Sequence, residues 1–101
     1  MAPALPRRAP RKREPVRSSL VIHNIVVAGH RTSVRLEPVM WEALQEIARL
    51  QQTNVNQLVT DIDRQRHASS LTAAIRVYIV DFYRAAAALA RRATELQRAA
   101  D

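Results

Sequence analysis

The chain has 101 residues, with 16 basic and 9 acidic side chains, a net charge of +7 and no cysteine. That is enough for one domain and too little for two independent cores, and it removes disulfides, thiolate metal sites and cysteine nucleophiles together. The longest apolar run stops at Gly29-His30-Arg31, far short of a membrane span, and prolines at 3, 6 and 10 leave no room for a signal-peptide core.

The excess charge is concentrated at the start. Residues 1–17 contain Arg7, Arg8, Arg11, Lys12, Arg13 and Arg17 against Glu14 alone. A Pro- and Arg-rich stretch with almost nothing to bury reads as a disordered tail over residues 1–19, and a cationic arm of this kind attracts polyanions such as DNA. A solubilising tail is the plainer reading of the same residues. Arginine supplies all but one of the basic side chains.

Residues 20–36 are rich in Val, Ile and Thr and are broken only by Ala28-Gly29-His30, which reads as extended structure. The first half lacks clean alternation, so no faces follow from it. The second half alternates: Thr32, Val34 and Leu36 fall on one side, Arg31, Ser33 and Arg35 on the other. Pro38 then stands where a helix begins, at a position where its missing N–H costs nothing. Met40, Leu44, Ile47 and Ala48 recur at helical spacing. Gln51-Gln52-Thr53-Asn54 interrupts the pattern, and Asn54 is placed to cap a second helix carrying Val55, Leu58, Val59 and Ile62 and ending around Arg66. After His67-Ala68-Ser69-Ser70, with either serine as cap, a long third helix runs to about Arg98. Its seam is Leu71, Ile75, Tyr78, Phe82, Leu89 and Leu96. The Ala-rich part beyond Arg84 favours helix but brings little to bury, so it is either a solvated extension or a thin coiled-coil contact with a neighbour.

A lone alternating strand leaves a row of unpaired backbone groups unless the preceding segment folds back. The economical solution pairs two copies antiparallel across a two-fold axis. That ribbon buries one face against the helices and exposes Arg31, Ser33 and Arg35 from both chains. Six such side chains suit the width and polarity of a DNA major groove: arginine bonds bidentately to guanine, and serine bonds either base type. The start of the second helix offers free N–H groups which, with Thr53, Asn54, Val55 and Asn56, suit a DNA phosphate. The bland reading makes Arg31 and Arg35 ordinary solvated side chains. Trp41 reads as core or dimer interface, and Tyr78, Phe82 and Tyr83 as packing.

The run from His30 to Pro38, then Trp41-x-x-Leu44, then Asn54-Val55-Asn56-x-Leu58-Val59, resembles the ribbon-helix-helix superfamily of the Arc and MetJ repressors, known strand-in-groove readers. More closely, Gly29-His30-Arg31-Thr32-Ser33-Val34-Arg35-Leu36-Glu37 with Ser70-Leu71-Thr72-x-Ala74-Ile75-Arg76-Val77 looks like a bacterial branch whose members carry a label mentioning aryl-sulfate sulfotransferases. No residue of this chain supports sulfotransferase chemistry. The resemblance covers about residues 25–84. It implies a mainly α fold with one short β-strand, an intertwined homodimer with a two-stranded antiparallel ribbon, and a long third C-terminal helix added to that core. The domain spans residues 20–84, and residues 85–101 form the helical extension. It also implies Arg31, Ser33 and Arg35 as base readers, Asn54 and Val55 at the phosphate clamp, and a dimer core that includes Val34, Leu36, Trp41, Leu44, Leu58, Val59 and Ile62. Two departures stand out: Gln52 occupies a turn position commonly held by glycine, and residues 20–27 are extra, widening the sheet if they pair beside the ribbon.

Enzyme readings fail on the residues. His23, His30 and His67 lack the spacing of a zinc site, Asp61 and Asp63 face different ways, and the single glycine rules out Gly-rich phosphate loops and the nucleophile elbow. No cofactor or metal is expected. The expectation is a cytoplasmic, nucleoid-associated, bacterial transcriptional regulator, a repressor in its usual form. It would bind double-stranded DNA as a homodimer, with higher oligomers forming on DNA or through the third helix. The alternative is a protein-interaction or antitoxin-type module that uses the same fold and the C-terminal helix to hold a partner protein. Nonspecific nucleoid packaging through charge alone is a third possibility.

Overall fold

A computed structural model describes residues 19–100; the basic tail residues named above lie outside this range. Two strands, β1 (Val21–Val27) and β2 (His30–Leu36), are followed by three helices, α1 (Pro38–Leu50), α2 (Val55–Gln65) and α3 (Leu71–Ala100). The expected single strand therefore has a second beside it. Residues 20–27 do fold back, and β1 pairs antiparallel with β2 in a register that runs from Val21 opposite Leu36 to Val27 opposite His30. The connection is two residues long, with Ala28 at φ 52° and Gly29 at φ 85°. Two successive left-handed residues make the tight turn whose twist matches a hairpin. Gly29 takes that conformation without penalty; Ala28 does so against its own steric preference.

Residues opposite each other in an antiparallel pair share a face, so the register sorts the sheet. Val21, His23, Ile25 and Val27 lie with His30, Thr32, Val34 and Leu36; Ile22, Asn24 and Val26 lie with Arg35, Ser33 and Arg31. The first face carries the buried residues Ile25, Val27, Val34 and Leu36. They join Trp41, Leu44, Ile47 and Ala48 from α1, Leu58, Val59 and Ile62 from α2, and Ile75 and Ile79 from α3 in one core. All seven residues expected at a dimer core are thus buried within a single chain, because β1 covers the flank that a second copy's strand was expected to cover.

The helix ends follow the local chemistry. Glu37 opens α1 through its carbonyl, which accepts the N–H groups of Met40 and Trp41 at 2.9 and 3.1 Å, with Pro38 in the first turn. At the other end, Gln52 adopts φ 60° and does what glycine does in the usual pattern. The Gln52 N–H bonds the Arg49 carbonyl and the Thr53 N–H bonds that of Ala48, so α1 is closed in the same way despite the side chain. Asn54 Oδ1 accepts the Gln57 N–H at 2.8 Å and caps α2; Ser70 Oγ accepts the Ala73 N–H at 3.2 Å and caps α3. The 30-residue α3 packs on the core only through its first half, where Ile75 and Ile79 are buried and Leu71, Ala74, Tyr78, Phe82 and Tyr83 are partly so. Tyr78, expected on the seam, yields the innermost place to Ile79.

A candidate nucleic-acid interface on the sheet

The outward face of the hairpin is where the sequence-derived site residues come together. Arg31, Ser33 and Arg35 are exposed on β2, with Val26, Asn24 and Ile22 opposite them on β1. Ser33 Oγ and Asn24 Oδ1 are 2.7 Å apart, so the hydroxyl donates to the amide oxygen across the strands. That bond uses the serine proton and leaves the Asn24 amide N–H groups and the Ser33 lone pairs for an incoming ligand. Asn24 was not among the residues found from sequence. Apolar Ile22 and Val26, 51 % and 41 % exposed, share its face and hide the period-two signal that would have marked Asn24 as outward. Together the face offers two guanidinium groups, a central polar pair and two aliphatic patches.

The edges of the hairpin differ. The N–H groups of Val26 and Ala28 point away from β2 and are held by α2: Asn56 Oδ1 accepts the first at 3.1 Å and Thr60 Oγ1 the second at 3.0 Å. In an antiparallel ladder bonded and non-bonded pairs alternate. Since Val26 is turned outward, its opposite residue Arg31 is too, and so are Ser33 and Arg35. Their backbone N–H and C=O groups line the outer edge of β2, and none has a hydrogen-bond partner among the described residues.

The start of α2 lies beside the hairpin turn. An open cleft between them is lined by Val26, Ala28, Gly29, Asn54, Asn56, Gln57 and Thr60. Of the four residues expected to clamp a phosphate, three have their side chains or backbone engaged within the chain. Asn54 caps the helix, and the Asn56 side chain latches β1. Thr53 gives its backbone N–H to Ala48. The backbone N–H groups of Val55 and Asn56, in the first turn of α2, have no partner among the described residues and carry the positive end of the helix dipole. What this helix start offers an anion is therefore mainly main-chain N–H.

Trp41 sits in the core, 6 % exposed, where its Nε1 donates to the Val21 carbonyl at 2.9 Å and its ring meets that of His23 edge-on, with centroids 4.5 Å apart. It ties α1 to β1 and is not available for stacking. Asp61 bonds Gln57 and Arg64, while Asp63 bonds Arg66, so the two carboxylates serve separate local contacts. No group of three or more His, Cys, Asp or Glu side chains placed to hold a metal occurs among the described residues, and none of the described helices is long and apolar enough to cross a membrane.

A two-stranded antiparallel sheet that precedes two helices with a capped turn between them defines a strand-and-helix module of the ribbon type. A family model described as a ribbon-helix-helix domain matches residues 20–83, nearly all of the described chain apart from the second half of α3. The protein belongs to the ribbon-helix-helix family. The matched span begins at β1, so the extra strand falls within the matched domain. No curated protein and no solved structure gave a significant match.

Proposed function

We propose that the protein is a sequence-specific, double-stranded DNA-binding transcriptional regulator, most simply a repressor, which reads bases with the outward face of its sheet. The observation that carries this reading is the placement of Arg31, Ser33 and Arg35 on one exposed face whose reverse is buried in the core. A rigid backing holds the three side chains in a fixed row, and arginine is the side chain best matched to guanine in the major groove. Family membership points the same way, since ribbon-helix-helix proteins are generally DNA-binding regulators or antitoxins.

The open edge of β2 supports a homodimer in which two copies join β2 to β2 antiparallel around Ser33, giving a four-stranded sheet with the two reading rows at its centre. Three inter-strand spacings make that sheet about 14 Å wide, against about 12 Å for the groove. The central pair enters, and twist carries the β1 strands to the groove walls. There the free N–H groups of Val55 and Asn56 lie close to the flanking phosphates. The basic tail, Arg7 to Arg17, adds affinity that falls steeply with salt. The exposed second half of α3 favours a role in protein contact alongside DNA binding, which is the antitoxin-type alternative.

The test is fluorescence anisotropy on duplex DNA from the protein's own promoter and on a scrambled duplex, across a salt series. It compares the wild type, a chain lacking residues 1–17, and Arg31→Ala/Arg35→Ala. With each bidentate contact worth about 1–3 kcal/mol, the double substitution should cost at least about tenfold in promoter preference. Tail deletion should mainly flatten the salt slope. Unchanged preference in the double variant sinks the reading, and a chain that binds only through its tail is a nonspecific packaging protein.

A further inference from the structure

The heptad seam of α3 does not end where the core ends. Ile75, Ile79, Phe82, Ala86, Leu89, Ala93, Leu96 and Ala100 follow one another at spacings of four and three residues along a single helix face. The first two are buried and Phe82 is partly buried against the core. The rest of the seam is bare, with Leu89 66 % and Leu96 69 % exposed. Its charges are placed off the seam: Arg84, Arg91 and Arg98 recur every seventh residue on the opposite side. The rows flanking it hold Ala85, Ala90, Gln97 and Ala99, with Arg92 the single charge. A solvated extension has no need of leucines in register with the core, nor of arginines swept to the far side.

We infer that the second half of α3 is a self-association surface whose occupant is the same half of a second copy, packed antiparallel with the two-fold axis near Arg91. The alternation of large and small selects both direction and register. In a parallel pair, Leu89 meets Leu89 and Ala93 meets Ala93, giving alternate bulging and empty layers. Run antiparallel about residue 91, every layer pairs large with small: Leu89 with Ala93, Leu96 with Ala86, and Phe82 with Ala100, each counted twice by symmetry. A shift of one heptad toward the core sets Leu96 against Ile79, which is already buried, and a shift the other way halves the overlap. The alanines on both flanks let the two backbones approach toward the close end of the usual 8–10 Å separation. The one charge beside the seam is a like-charge contact in this register, since the symmetry sets each Arg92 beside Arg92 of the second copy, with Glu95 three residues along the same helix to temper it.

The overlap from Phe82 to Ala100 is about 28 Å long and one helix wide. That is less than the roughly 1,000 Å² a stand-alone interface needs, so the contact links molecules reversibly and in proportion to concentration. The inference rests on α3 alone and does not depend on the DNA reading.

The absence of cysteine makes the test direct. Leu89→Cys and Ala93→Cys chains, prepared separately and mixed under mild oxidation, should yield the mixed disulfide in clear excess over either homodimer. Sedimentation of the full chain should show Leu89→Gln/Leu96→Gln weakening this association by about tenfold or more, with helix content retained by circular dichroism. Predominant Leu89→Cys homodimers mean a parallel pair and overturn the proposal. So does a mixture that fails to cross-link while the glutamine variant sediments as wild type, the result expected if a different protein or a lipid surface covers this face.

Discussion

Glu37 and Arg76 join the end of β2 to α3 through a 3.0 Å contact between half-exposed side chains. The Glu37 carboxyl is held below its ordinary pKa, first by its own backbone N–H and then by the Arg76 guanidinium, with desolvation opposing both. A carboxylate more acidic in the folded than in the unfolded chain adds stability that is complete above its unfolded-state pKa. That stability disappears as pH falls through the lower folded value. Arg76→Ala should therefore lower Tm near pH 7, with the gap to wild type closing on acidification below about pH 4; thermal melts across that range check it. A gap that persists unchanged in acid would assign the loss to packing of the arginine stem instead. At this scale the sequence was informative where a residue's neighbours are local. Asn54 announces itself as a cap, and its bond to Gln57 is three residues away. Asn24 and Asn56, whose partners are Ser33 across the hairpin and Val26 thirty residues distant, carry no such signal.

Among the elements, the turn between the strands holds a residue that the backbone does not favour. Ala28 is left-handed where the preferred two-residue hairpin has asparagine followed by glycine. Ala28→Asn keeps the backbone N–H that bonds Thr60 and relieves about 1 kcal/mol of steric cost, enough to raise Tm by several degrees in a domain of this size. Gly29→Ala should do the reverse by about 1–2 kcal/mol, although no atom lies within 4 Å of the added methyl group, because the penalty lies in φ and not in space. Paired urea melts distinguish the two; a neutral Gly29→Ala would mean the turn relaxes to another geometry. The helices were legible because Leu44, Ile47 and Ala48, or Leu58, Val59 and Ile62, repeat at their period and face one core. β1 was not, since apolar side chains lie on both of its faces and only the register with β2 separates Ile25 and Val27 from Ile22 and Val26.

Seen as a whole, the chain places its core before Tyr83 and spends a further helical half on exposed surface. The family and the outward row of Arg31, Ser33 and Arg35 were visible in the order of segments and in the alternation from Arg31 to Leu36. The reasoning that a lone strand requires a second copy was incomplete, because the lone strand has a partner in its own chain. What replaces it is the difference between the two edges of the hairpin, one held by Asn56 and Thr60 and the other open. Asn56→Ala/Thr60→Ala should free the turn-proximal part of β1. Light scattering of concentrated samples should then rise steadily with time, whereas the wild type stays flat; an equally flat trace from the variant would show that these two bonds do not guard the edge.

That inequality of edges sets a limit on growth. Strands with two open sides stack without end and lead to fibres. A hairpin with one side occupied can add a single neighbour on the other, and when that neighbour is its own copy in the opposite sense, both open sides are consumed at once. In such a dimer the sheet would stop at four strands, and the side chains of α2 would keep an adhesive edge from becoming an aggregation hazard.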